Sequence, residues 1–409
     1  MGPARHGTRG SPLVLRGEPV LHWRMESIGE RVPIGEVTDL FKVGEPLPFR
    51  VLDALERLLL NEGQLIHSDS QLATLIERGA WVERQAVIEQ RARLGSTTKT
   101  VTDAQRTVTL FDRWERCTWE LDSVLRAVLK GQPAKAELDS LVDGTIALVD
   151  RDVDIALFMA IRQDDRRFAL YPLVHALHVT VIGLVTARQA GWDVAKQRSL
   201  AGAALTMNVA MLDLQAMMAE QDTPPTTRQL DQIRAHTDRS EALLRSAGVN
   251  DEIWLRTVRD HHERSDGTGY PRALKELSEE ARLLRKADVF MAKITPRAKR
   301  QPLPPQVAAR QLFQQEAGSP LVAALIKGIG IHPPGSLVSL KSGEVAVVAH
   351  RPRTGNAPLV FTLSDRKGQP SANSSHRDTQ QPEFAVVGPL ADRTGFTRVL
   401  GERVYGVVE

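Results

Sequence analysis

The chain has 409 residues, of which 42% are hydrophobic and 25% charged, ordinary values for a globular protein and too long a chain for one small core. Its 53 Lys+Arg against 50 Asp+Glu leave a net charge of only +3, which excludes the strong basic footprint of a nucleic-acid-binding domain. Cys117 is the only cysteine, so an intramolecular disulfide is excluded and the thiol reads as a small buried hydrophobe.

Residues 1–31 carry Gly, Pro and Arg without periodicity and read as a flexible tail, in which Met25 is an alternative start. No apolar run is expected to reach the length of a membrane span, and no basic-then-apolar leader opens the chain, so a cytoplasmic protein without membrane contact is expected. Residues 32–98 predict a small β-rich module. Strands are expected at Pro46–Arg50 and Leu58–Ile66, the second broken by the turn-like Asn61-Glu62-Gly63. Ser68 caps a helix over Asp69–Glu77 that stops at Gly79, and Trp81-Val82 resumes a strand. Lys99–Ala104 reads as a polar linker.

From 105 to 330 helical periodicity dominates. Leu110, Trp114, Leu121, Leu125 and Val128 form one stripe, and Leu138, Leu141, Val142, Ile146 and Val149 the next. Further helices are expected at 173–190, 200–219, 227–247, 251–262, 281–292 and 305–316, which together imply an all-α bundle. Residues 331–409 return to short β-type runs (HPPGSLVSL, GEVAVVAH, PLVFTL, TRVLGERVYGVV), with 364–381 as a mobile polar loop. The fold class is therefore multidomain and mainly α: a helical bundle flanked by a small N-terminal β-rich module and a small C-terminal β extension.

The most informative stretch is HHERSDGTGYP, residues 261–271. Two adjacent histidines end an apolar helical pattern (Ile253, Trp254, Val258) and lead into a turn built on Gly267 and Gly269. Neutral imidazoles ligate a cation, and the neighbouring carboxylates Glu263 and Asp266 are expected to balance its charge. A helix C-cap histidine pair favoured by the dipole is the plainer alternative. His178 reads as a hydrogen-bonded core histidine rather than a ligand. The remaining histidines outside the 171–300 region show no ligand spacing.

The run closely resembles the signature of the HD-GYP family, and the resemblance extends from about Tyr171 to Gly343, where 333–344 reads PPGSLVSLKSGE. It implies bacterial enzymes that hydrolyse cyclic di-GMP at a metal cluster held by residues matching His175, His236, His261, His262 and Asp288. It further implies phosphodiester contacts from Arg297, Arg300, Asp266 and Tyr270, and a protein partner at the GYP loop. The family's His-Asp dipeptide falls in AALTMNVAMLDLQ, where Met207 and Asn208 replace it, and Met211 stands where a phosphate-binding lysine is usual. Tyr171 stands where trinuclear members carry a glutamate.

The loss of the bridging aspartate matters most. Two dications ~4 Å apart in an effective dielectric of ~20 repel by roughly 16 kcal/mol. A bridging anion offsets that repulsion; the neutral carbonyl of Asn208 does not. A thioether at 207 is a poor ligand for Mn or Fe. Met207, Met211 and Met218 read equally as the packed stripe of a core helix, and Arg297 and Arg300 as a solvated loop. The sequence thus points to a family member holding at most one Mn or Fe ion, degenerate as a hydrolase and acting as a nucleotide-sensing or protein-binding module. The rivals are a working cyclic di-GMP phosphodiesterase and a scaffold that binds neither metal nor nucleotide.

Overall fold

The structure, a computed structural model, describes residues 31–96, 108–162, 167–298, 301–316, 318–352, 354–371, 373–390, 396, 399–406 and 408. The expected tail up to residue 30, with Met25, the linker Lys99–Ala104 and Arg300 lie outside these residues.

Strands β1 (Arg31–Pro33), β2 (Val51–Leu52) and β3 (Leu58–Leu60), helix α1 (Asp69–Glu77), strand β4 (Trp81–Glu83) and helix α2 (Arg84–Ser96) make up the N-terminal part. The strands form an antiparallel sheet in the order β1-β4-β2-β3. Ser68 caps α1 by accepting from the Gln71 amide, which satisfies one of the helix's orphan donors. The strand expected at Pro46–Arg50 shifts: Val51 and Leu52 pair with β3, and Pro46 makes only an isolated bridge to Leu65. Proline lacks the N–H a ladder needs, so pairing moves past it. Helix α2 was not expected in a β-rich module. Of its apolar residues Val87 is buried and Ile88 lies 54% exposed, so it carries little periodic signal.

The bundle comprises α3 (Leu110–Leu129), α4 (Lys135–Arg151), α5 (Val153–Ile161), α6 (Tyr171–Gln189), α7 (Val194–Thr206), α8 (Leu212–Glu220), α9 (Thr227–Ser246), α10 (Glu252–Asp260), α11 (Glu279–Ile294), α12 (Pro305–Gln315) and α13 (Pro320–Ile329). The α3 stripe is buried throughout, behind a reciprocal cap between Thr109 and Asp112. Helix α5 (VDIALFMAI) escaped the periodicity reading because it is apolar on every face. Helix α6 lies centrally, against α5, α7, α11 and α13. The single helix expected at 200–219 is instead α7, a 3-10 turn at Val209–Met211, and α8. Met207 is fully buried, whereas Met211 and Met218 are half-buried, so the three do not form one core stripe.

The expectation that no apolar run reaches span length is corrected. Phe168–Gln189 and Val194–Glu220 are long and apolar enough, yet 89% and 72% of their apolar windows are buried inside the bundle. A helix enclosed by neighbours is apolar all round for the same reason that a membrane helix is.

Beyond α13, β5 (Leu337–Leu340), β6 (Val345–His350), β7 (Leu359–Thr362), β8 (His376–Asp378) and β9 (Val386–Pro389) form an antiparallel sheet in the order β8-β7-β6-β5-β9. Strand β8 lies inside the stretch expected to be a mobile loop; its residues pair with β7. The run expected as a last strand forms the short helix α14 (Gly401–Tyr405). A Cβ at Gly401 would sit 2.2 Å from the Phe111 ring, so glycine lets the α14 backbone lie directly on α3. One hydrophobic core runs from Ile34 to Val404 through sheet and bundle alike, and a second small one covers the other face of the C-terminal sheet.

Candidate metal centre

Five expected ligands converge from four helices. His175 sits in the second turn of α6, His236 in the middle of α9, Asp288 on α11, and His261 and His262 directly follow α10. Their placement depends on a close approach of α7 and α10. A Cβ at Gly202 would lie 2.4 Å from the Trp254 ring, and the Trp254 indole N–H donates to Thr206 Oγ1 at 2.8 Å. Glycine at 202 and tryptophan at 254 therefore set the depth at which the two histidines emerge.

Two of the imidazoles have a defined tautomer. His236 Nδ1–H donates to the Ile233 carbonyl at 2.5 Å, and His261 Nδ1–H donates to the Val258 carbonyl at 2.6 Å. A carbonyl can only accept, so each Nε2 carries a bare lone pair. These two Nε2 atoms face each other at 3.5 Å. Two acceptors in contact repel unless a cation or proton lies between them. His262 completes the group: one nitrogen from each of the three histidines lies within 4.8 Å of the others. This donor set fits one divalent ion with an affinity for imidazole.

Electrostatics keep the donors in ligating form. Burial, and then the neighbouring imidazole of His261, hold His236 down to about 3. Burial likewise holds His261 below its ordinary value and His262 well below it. Burial alone raises the carboxyl of Asp288, but the hydrogen bond and charge of His175, then the charges of His262 and His261, outweigh it and leave the group well below the usual carboxylate range. His175 Nε2 contacts Asp288 Oδ1 at 2.8 Å, so these two are partners of each other.

Met207 and Asn208 fall at the break between α7 and the 3-10 turn. That turn packs on α9, where the Ala210 amide donates to Ser240, one turn beyond His236. Met207 has no exposed surface, and the Asn208 carbonyl oxygen is buried with no hydrogen-bond partner among the described residues. Tyr171 stacks on His175 with ring centroids 5.4 Å apart, and its hydroxyl accepts from Arg297 at 2.8 Å and 3.2 Å. This Tyr171–Arg297 link ties the expected phosphate-binding arginine to the ligand cluster, and sequence spacing held no signal for it. His178 is not the hydrogen-bonded histidine expected, since its Nδ1 is buried without a partner.

The two loop carboxylates are turned onto donors of their own loop. Glu263 is fully buried and accepts from the Arg272 amide at 2.7 Å and the Leu274 amide at 2.9 Å, stapling the loop shut. Asp266 is exposed and accepts from Arg264 at 2.6 Å and from the Thr268 amide at 2.9 Å. Short-range backbone and side-chain donors claimed both groups first. Gly269 allows the loop to fold back on itself, because a Cβ there would lie 2.4 Å from the Arg264 nitrogen. Tyr270 stacks on His262 at 4.7 Å and thus borders the imidazole group.

Residues 161–331 match the HD domain family. The chain is 25% identical over 232 residues to the cyclic di-GMP phosphodiesterase PA4108 of Pseudomonas aeruginosa, and spans 55% of that relative's length. Among solved structures it is similar to Bd1817, an HDG"Y"P protein from Bdellovibrio bacteriovorus, at 16% identity and a TM-score of 0.47, covering 73% of this chain and 98% of that one. With the HHERSDGTGYP loop beside its clustered histidines, residues 161–331 of this chain match the HD domain and resemble its HD-GYP type.

Proposed function

We propose that this chain is a cytoplasmic module of cyclic di-GMP signalling that binds one divalent ion, manganese or iron, and hydrolyses the nucleotide very slowly or not at all. The relative is named as a phosphodiesterase for this messenger, which supplies the ligand class. The observation that carries the reading is the buried Asn208 oxygen, neutral and unpartnered beside a fully buried Met207. Where the family resemblance implies an anion shared by two cations, this chain offers an amide.

A bound divalent ion supplies Lewis acidity and charge neutralisation at a phosphodiester. His236, His261 and His262 would hold it. His175 and Asp288 contact one another at 2.8 Å, so a second ion would have to displace that hydrogen bond to use them. Arg297, anchored on the Tyr171 hydroxyl, keeps its guanidinium at the rim for a phosphate. Tyr270, stacked on His262, offers a ring against which a base can lie. The exposed turn around Asp266 and Thr268 is free to meet a signalling partner. We place Arg300 in the same phosphate-binding role on the resemblance alone.

The test is elemental analysis of protein purified without chelator, together with turnover of cyclic di-GMP in manganese or ferrous iron. About one ion per chain, with turnover far below the ~1 s⁻¹ at the low end of ordinary enzymes, is expected. Two ions with turnover at or above that rate would overturn the reading in favour of a working phosphodiesterase. No metal at all would favour a scaffold.

A further inference from the structure

A cavity of about 110 Å³ lies between α3, α5, α6 and the end of α11, with Tyr171 in its wall. Its wall is mostly apolar and rich in rings: Trp114, Phe168 and Tyr171, with Met159, Val174 and Leu177 between them.

The polar groups lining this cavity are nearly all spoken for. Glu115 and Arg167 form a bidentate pair at 2.7 Å and 2.9 Å, and Arg167 also donates to the Leu59 carbonyl. Thr118 donates to the Trp114 carbonyl and Thr295 to the Met291 carbonyl. Arg162 donates to the Phe396 carbonyl, and the Tyr171 hydroxyl accepts from Arg297. Two groups remain. The Trp114 indole N–H and the His178 Nδ1 are buried, and neither has a partner among the described residues. They sit on different helices, α3 and α6, and line the same cavity. Buried polar atoms are almost always satisfied, so two orphans on one cavity wall mark a missing occupant.

Volume and lining define that occupant. An engineered apolar cavity of roughly 150 Å³ holds one benzene ring, so a space of about 110 Å³ takes no more than a single ring. Aromatic faces and a methionine sulfur favour an aromatic one. Glu115 and Arg167 pair with each other and Arg162 is turned onto the Phe396 carbonyl, so each charged side chain on the wall already has a partner and none is left to draw in an ion. Water alone fits poorly, since the wall supplies few polar partners for each molecule. We infer that this cavity is a binding site for a small neutral aromatic molecule with a polar substituent, which accepts a hydrogen bond from the Trp114 indole and meets His178 Nδ1. The site is separate from the metal centre and shares with it only Tyr171, whose ring also stacks on His175.

Phenol is the probe, titrated into the full chain by calorimetry and by NMR of the tryptophan indole N–H resonances. Saturable binding of one phenol per chain is expected, with a downfield shift of the one indole resonance that Trp114→Phe deletes. Toluene, which has the ring without the hydroxyl, binds at least tenfold more weakly, and benzoate at pH 7 does not bind. Trp114→Phe weakens phenol about tenfold, and Val174→Phe, which fills the space, abolishes binding. No saturable binding, an unshifted Trp114 resonance, or undiminished affinity in Val174→Phe overturns the inference. If Val174→Phe does not fold, the Trp114 resonance in the unaltered chain decides alone.

Discussion

Replacing Asn208 with aspartate probes the donor on which the single-ion reading rests. Asn208 is buried and its oxygen already lacks a partner, so the variant places a charge where a neutral group is unsatisfied. Without metal, an unpaired buried carboxylate costs on the order of several kcal/mol. The cost falls if His236 or His261 takes up a proton to meet it. With a dication ~4 Å away in an effective dielectric of ~20, the attraction is roughly 8 kcal/mol before desolvation. That gain exceeds the cost, so the effect of the substitution changes sign with metal. Thermal unfolding of wild type and variant, each in chelator and in manganese, reads both halves. In chelator the variant should melt below wild type. In manganese its upward shift should exceed that of wild type, because each tenfold gain in affinity adds about 1.4 kcal/mol to a native state that alone binds the ligand. An equal metal-induced shift in the two proteins would refute the reasoning. The Asn208 oxygen would then not face the three imidazoles, and the account of why the site is limited to one ion would fail.

Three further outcomes follow from the same geometry. Changing both His261 and His262 to Ala removes two of the three clustered donors, so elemental analysis should find no bound metal; unchanged occupancy would place the ligands elsewhere. Gly202→Ala drives a Cβ to within 2.4–2.6 Å of three Trp254 ring atoms; overpacking of about 3 kcal/mol less about 1 kcal/mol of helix propensity leaves a net loss of about 2 kcal/mol, read as a lower urea midpoint, and an unchanged midpoint would show that α7 and α10 are not so closely apposed. Burial raises the carboxyl of Glu115, but the charge and hydrogen bonds of Arg167 outweigh it and leave it below its ordinary 4.5; its stabilisation is therefore complete above that value and lost as pH falls below it, so Glu115→Gln should flatten the acid limb of the stability profile, and identical limbs would exclude the pair as a contributor.

The helical bundle was legible in the chain because amphipathic stripes such as Leu110, Trp114, Leu121 and Leu125 repeat at the helical period and are buried on one side. The elements that escaped notice lacked that contrast. Helix α5 is apolar on all faces, and α2 buries little; α14 owes its place to Gly401 fitting against Phe111, a contact between residues 290 apart in the chain (401 against 111). The break after Thr206 was invisible for a similar reason. An apolar run does not show where a helix stops when the interruption is held by packing on α9 and by the Ser240 hydroxyl.

At the site, the chain's order of residues was sufficient to name the donors. His261 and His262 are adjacent, the glycines that shape their loop follow within eight residues, and the types found at 207 and 208 already spoke against an anionic bridge. What residue order did not contain was who satisfies whom. Only the tertiary structure turned Glu263 onto two loop amides, paired His175 with Asp288, set Tyr171 between His175 and Arg297, and left Asn208, Trp114 and His178 with unpartnered atoms. Ligand identity is a property of side-chain chemistry and is written locally. Hydrogen-bond satisfaction in a buried space is a competition among groups brought together from distant parts of the chain, and packing alone decides which of them are in reach.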